Sequence, residues 1–321
     1  MLTILLVNLG TPEAPTASAL KTYLAEFLSD PCVVDLPRLL WQPILRGIIL
    51  KTRPAKSARL YQKIWLAEGS PLLVYSQKLA DKLQDQLQQH YHTNDLQVIL
   101  AMRYGKPDLA RAFEYIKQSK TTKLIVLPMY PQYAEASSGS SLLHCRQLSK
   151  TLDKNVKLYG ISDYYNHPAY ITAMAQQISK YRQHPHLIFS FHGIPQKCVD
   201  RGSPYYEHCL TSAQLIADAL GLSQQQWQLA FQSRFGPATW LQPYCDQVLK
   251  KLATDGIDHV DIVCPGFAVD CLETLEEIAQ SYQEVFQEAG GKTLNYIPAL
   301  NDSNAHVDCL ANVIQSLSIT S

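Results

Sequence analysis

The chain has 321 residues, 46% hydrophobic and 17% charged, with Lys+Arg and Asp+Glu both at 28. Its length exceeds one ordinary core of roughly 100 to 200 residues, so two domains with a cleft between them are expected. A formal net charge of zero lacks the basic excess of a nucleic-acid binder, and the composition argues against disorder and coiled coil.

In chain order, the apolar opening 1–9 has no basic leader and runs straight into Gly10-Thr11-Pro12, which predicts a buried first strand and no export signal. Residues 33–50 are apolar but interrupted by Asp35, Arg38 and Arg46 and by Pro37 and Pro43, a poor membrane span. After Ser70-Pro71, the residues Leu72, Tyr75, Leu79, Leu83 and Leu87 recur at helical spacing on one face. Short apolar runs at 98–105, 124–128 and 157–159 read as further strands.

The second half repeats the first. Ile4 to Pro12 returns in character as Leu187 to Pro195, an apolar run ending Gly-x-Pro, and 98–105 returns as 229–236, both ending Arg-aromatic-Gly. The runs 124–128 and 157–159 return as 261–265 and 294–296, four strands in the same order. Leu272, Leu275, Ala279, Tyr282, Phe286 and Ala289 predict an α-helical face closed by Gly290-Gly291. The expected fold is therefore α/β: two similar doubly wound, Rossmann-like parallel-sheet domains from an internal duplication. The expected domains are 1–155 and 156–321, with the boundary in 155–165 and the last helix free to pack back on the first domain.

Neither Gly10-Thr11-Pro12 nor Gly193-Ile194-Pro195 fits a G-x-G-x-x-G or G-x-x-x-x-G-K pattern, so nucleotide binding is unsupported. His192 stands where a strand ends, the usual place for chemistry in such a sheet, opposite Leu9 in the first half. Asp270-Cys-Leu-Glu273 has two readings. It forms a capping box at the start of the next helix, or it brings Glu273 to the crevice beside His192. One imidazole and one carboxylate, with Glu277 a turn further on, suit a borderline divalent ion such as iron(II) and should hold it weakly. The eight cysteines contain no Cys-x-x-Cys, which predicts neither a zinc ribbon nor an iron-sulfur cluster, and reduced thiols in a cytoplasm are the default. His192 has no nearby G-x-S-x-G nucleophile signature.

Several of these runs together resemble the ferrochelatase family: Leu6-Val-Asn-Leu-Gly-Thr-Pro12, Phe189-Ser-Phe-His-Gly-Ile-Pro195, Gln232-Ser-Arg-Phe-Gly236 with Trp240-Leu241, and Phe267-Ala-Val-Asp-Cys-Leu-Glu-Thr-Leu275. They span nearly the whole chain in the family's order. The resemblance implies a lyase that inserts ferrous iron into protoporphyrin IX, the terminal step of haem biosynthesis. It places the family's histidine on His192 and its metal-side glutamate on Glu273, as catalytic and metal-binding residues. Family positions lining the porphyrin fall on Arg53, Tyr61, Ser70 and Tyr133, and Arg103-Tyr104 also match. The Ser70 match requires a two-residue insertion after Tyr61. Residues 33–50 resemble the lip over the porphyrin mouth, with weak peripheral membrane contact as a further expectation; the alternative is an ordinary core helix.

The chain departs from the family at two points. Some members hold an iron-sulfur centre on a terminal cysteine cluster, whereas only Cys309 lies near this terminus. A histidine that follows the Asp in some relatives is Cys271 here, which leaves the third ligand open. Porphyrin and ferrous iron are thus the expected substrates of a cytoplasmic monomer with no permanently bound cofactor. The rivals are a cobalt chelatase acting on an earlier tetrapyrrole and a non-catalytic porphyrin carrier.

Overall fold

A computed structural model describes residues 1–317. It contains two four-stranded parallel sheets. The first is built from β1 (Leu2–Thr11), β2 (Leu96–Gly105), β3 (Lys123–Pro128) and β4 (Lys157–Gly160), in the order β2-β1-β3-β4. The second uses β5 (His186–His192), β6 (Trp227–Gln232), β7 (His259–Val263) and β8 (Thr293–Ile297), in the order β6-β5-β7-β8. The two orders are the same, strand for strand, as the repeat in the sequence predicts.

The helices are α1 (Ala17–Phe27), α2 (Arg38–Ile44), α3 (Leu50–Ile64), α4 (Pro71–Tyr91), α5 (Leu109–Gln118) and α6 (Ser140–Ser149), then α7 (Pro168–Tyr181), α8 (Gln196–Asp200), α9 (Tyr205–Ala219), α10 (Cys245–Thr254), α11 (Tyr282–Glu288) and α12 (Asn304–Gln315). In the first sheet Leu5 and Val7 pack with Phe113, Ile116, Leu142 and Cys145 of α5 and α6, while α4 lies against β1 and β2. Because both faces are covered, β1 reads as a continuous apolar run and not as an alternation. The second sheet does the same: Ile188, Ala230 and Ile262 pack with Leu249 of α10 and Phe286 of α11, while α7 and α9 meet its strands.

The compact units divide after Asp163, eight residues beyond the expected end of the first domain, and Pro131–Tyr133 belong with the second unit. Helix α12 packs on α7, within the second unit.

One alternative reading and one local prediction fail, each for a physical reason. Residues 33–50 are not a core helix: α2 has no buried residue, and Leu39 is 90% and Leu40 65% exposed. The segment then turns π-helical over Leu45–Ile49 before α3. The 3.6-residue face expected from Leu272 to Ala289 also shifts, because Glu273–Ser281 is π-helical and its bonds reach five residues along. Buried positions there are Thr274, Glu276 and Ile278, while Leu275 and Ala279 are only half-buried.

Candidate active site

The second sheet reverses direction at β5: the chain steps from β5 to β6 on one side and then returns to β7 on the other. Ligands in such sheets bind at the carboxyl ends of the strands where that reversal occurs. His192 is the last residue of β5, and the π-helical segment that follows β7 begins at Glu273. Sheet topology therefore brings together two residues that lie far apart in sequence.

The state of His192 follows from its hydrogen bond. Nδ1 lies 2.7 Å from the Gly193 carbonyl oxygen, which can only accept, so Nδ1 is the donor and, in the neutral form of the ring, Nε2 is the nitrogen with the lone pair. That is the form a base or a metal ligand needs. The Tyr205 hydroxyl donates to the His192 carbonyl at 2.8 Å, and the Phe267 ring lies 6.4 Å from the imidazole. Gly193 is required here: a β-carbon would stand 2.9 Å from the Gln232 carbonyl oxygen and 3.3 Å from the Trp240 ring.

Glu277 is the best-held acid of the site. Its Oε1 accepts from the Ser233 amide at 2.9 Å and the Tyr282 hydroxyl at 3.3 Å, and its Oε2 from the Ser233 hydroxyl and, at 3.4 Å, the Gln232 amide group. Burial pushes its pKa above the usual carboxylate value, Ser233 opposes that shift, and the charges of His192 and Glu273 act on it in opposite directions. The three side chains are therefore electrostatic neighbours. Gln232 ties the strand end to the π-helix, donating at 3.2 Å to the Glu273 carbonyl.

The capping-box reading of Asp270 and Glu273 is overturned. Asp270 takes the hydroxyls of Thr274 at 2.9 Å and Tyr296 at 2.5 Å and the Asn301 side chain at 2.6 Å, while the Cys271 amide goes to the Thr274 hydroxyl. Asp270 anchors the start of the π-helix to β8 and the loop after it, and Glu273 is half-buried with no capping role. Cys271 is buried, and desolvation together with the neighbouring Glu273 charge raises its pKa well above the ordinary thiol value. Without a metal beside it, it stays a thiol near neutral pH. Among the described residues no three His, Cys, Asp or Glu side chains form a metal-holding group.

Of the other expected residues, Arg53, Tyr61 and Ser70 belong to the first unit and Tyr133 to the second. Arg53 is exposed on α3, and Tyr61 on the same helix is buried with its ring 6.0 Å from Trp65. Ser70, just before α4, is buried and accepts from the Thr11 hydroxyl at 2.8 Å. Tyr133 sits in the second unit, its amide 3.3 Å from the His208 ring nitrogen. Arg103 and Tyr104 are engaged internally: both donate to Asp30 Oδ2, at 2.5 and 2.8 Å.

The sequence model of the Ferrochelatase family matches residues 2–317. The chain belongs to the ferrochelatase family. A curated ferrochelatase of Methylococcus capsulatus is 48% identical over 316 residues, covering 97% of this chain and 95% of that one. Another, from Vibrio cholerae, is 44% identical and covers 97% of each chain. Among solved structures, SirB of Bacillus subtilis, with Fe3+, matches at a TM-score of 0.60 and 11% identity, over 99% of this chain and 96% of that one. At that identity the likeness speaks for the fold alone. A ferrochelatase is a lyase, a porphyrin metal chelatase of haem biosynthesis that forms protohaem from protoporphyrin IX and ferrous iron.

Proposed function

We propose that His192 and Glu273 receive ferrous iron and pass it to the porphyrin, with His192 Nε2 as metal ligand or proton acceptor. Insertion forms four Fe–N bonds and releases two pyrrole N–H protons, so the site must accept protons as the metal leaves it. The observation that carries this reading is the Nδ1 hydrogen bond of His192, which turns Nε2 away from its own backbone. Glu273 and Glu277 supply carboxyl groups that are its electrostatic neighbours. A two-residue ligand set holds the metal loosely, which suits an ion that must be handed on.

Arg53, Tyr61, Ser70 and Tyr133 are the proposed porphyrin contacts: a guanidinium and hydroxyls for propionates, aromatic faces for the macrocycle. Leu36, Leu39, Leu40, Ile44 and Ile48 leave an exposed apolar row that supports peripheral membrane contact. No helix among the described residues is long and apolar enough to cross a bilayer. All eight cysteines are free thiols, which supports a reducing, cytoplasmic location.

The test is anaerobic iron insertion into protoporphyrin by the intact chain and by Glu273→Gln. The intact chain is expected to turn over many times, and Glu273→Gln to fold normally but insert iron slowly. Full insertion by Glu273→Gln across a range of iron concentrations would remove Glu273 from the site.

A further inference from the structure

The end of β6 holds a feature that the chemistry above leaves unused. Ser233, the first residue after the strand, has φ +65°, a left-handed conformation that few residues with a β-carbon adopt. Its amide and its hydroxyl both end on Glu277, one on each carboxylate oxygen. The preceding Gln232 side chain spans Ser190, Cys264, the Glu273 carbonyl and Glu277 Oε2. At the matching place in the first half, Met102 is buried inside β2 with no such turn.

We propose that Ser233 is a positioning residue for iron delivery: leaving the strand in a left-handed turn, it clamps both oxygens of Glu277 and fixes that carboxylate beside His192 and Glu273. The inference rests on the metal-side reading of His192 and Glu273. An unclamped glutamate on a helix explores several rotamers, whereas two hydrogen bonds from one rigid residue hold it in one. The donors also offset the burial that disfavours its charged form. Ser233 does not touch the metal; it acts through Glu277.

That dependence can be read as non-additivity. Ferrous iron insertion is measured at saturating protoporphyrin for the intact chain, Ser233→Ala, Ser233→Gly, Glu277→Gln and the Ser233→Ala/Glu277→Gln double variant, each confirmed folded by its thermal transition. Ser233→Ala and Ser233→Gly both lose the hydroxyl, and the glycine keeps the amide at its left-handed position without strain, so it serves if the alanine variant folds poorly. Both are expected to lower kcat/KM for ferrous iron by about tenfold, with the protoporphyrin KM unchanged. The double variant should be no slower than Glu277→Gln alone. Losses that multiply in the double variant, or serine variants as fast as the intact chain while Glu277→Gln is impaired, would overturn the clamp. Full activity in Glu277→Gln would overturn it by removing Glu277 from iron delivery, and His192→Ala would then show whether the metal-side reading itself stands.

Discussion

Each half of the molecule carries an Arg-aromatic-Gly tripeptide, at the end of a strand in the first and just beyond one in the second, and the two halves use it in opposite ways. In the first, β2 continues through Arg103-Tyr104-Gly105, held by β1 in the pairs Gly10 with Tyr104 and Thr11 with Gly105. There Arg103, Tyr104 and Ser140 all donate to Asp30. Burial raises the Asp30 pKa, but the Ser140 and Tyr104 hydroxyls, the Cys32 amide and the Arg103 charge outweigh it and hold the carboxyl below its ordinary value. In the second half, pairing stops at His192 with Gln232, and Arg234 is left exposed with Asp246 at 2.9 Å. The carboxylate met there is Glu277, whose pKa is raised. A matched pair of motifs thus gives one acid neutralised for stability and one kept costly, and costly charges gather at functional sites.

The widest gap should appear at the paired positions His192 and Leu9. His192→Ala is expected to cut insertion by about 10² to 10⁴ with porphyrin binding intact, as judged by fluorescence titration, the range of a positioned acid or base. A loss below about tenfold would break the comparison, because the second half would then hold no chemistry that the first lacks.

Next in size is Asp30→Asn, which leaves the Arg103 guanidinium without its partner and should cost about 3 kcal/mol in urea unfolding at pH 7. The pH dependence has a definite sign. The folded pKa of Asp30 lies below the unfolded one, so its stabilisation is complete above the ordinary carboxylate value and is lost as pH falls through the folded value. The variant should therefore show a shallower acid limb below about pH 4. An unchanged limb would mean that Asp30 is not the stabilising acid of this half.

Arg53→Ala should raise the protoporphyrin KM severalfold and leave kcat alone, since a contact made in ground and transition states alike affects binding only. A fall in kcat with KM unchanged would remove Arg53 from the set of macrocycle contacts.

The smallest effect is expected from Glu277→Gln on stability. Its folded pKa lies above the unfolded one, so the charge costs stability as pH rises through that window. With chelator present, the variant should equal the parent or exceed it by about 1 kcal/mol at pH 7, and the gap should close near pH 4. A clear destabilisation at pH 7 would place Glu277 with Asp30, as a structural acid.

How much of the site could be read in advance depends on distance along the chain. His192 was visible as a histidine closing an apolar run, and Glu273 as an acid opening a helical one. Asp270 misled because a capping box is a local pattern, whereas its partners Tyr296 and Asn301 arrive from β8 and the loop beyond. Ser233 stood in a quoted motif without a role, since no spacing rule signals a serine with positive φ. The exposed row at Leu39 and Leu40 was legible as apolar but not as uncovered, because exposure depends on which element packs against it.

The sequence by itself determined the strands, their order and the duplication, because each strand buried on both faces must be a continuous apolar run. It also determined the family, through motifs spread along the whole chain. Only the tertiary structure decided the tautomer of His192, the π-helical turn that carries Glu273 and Glu277, and the opposite fates of Asp30 and Glu277. Those depend on hydrogen-bond partners that local pattern does not encode: Ser140 stands 110 residues from Asp30, and Ser233 stands 44 from Glu277. Periodicity along a chain reports which face is buried, while the charge and orientation of a side chain are set by the groups that folding brings against it.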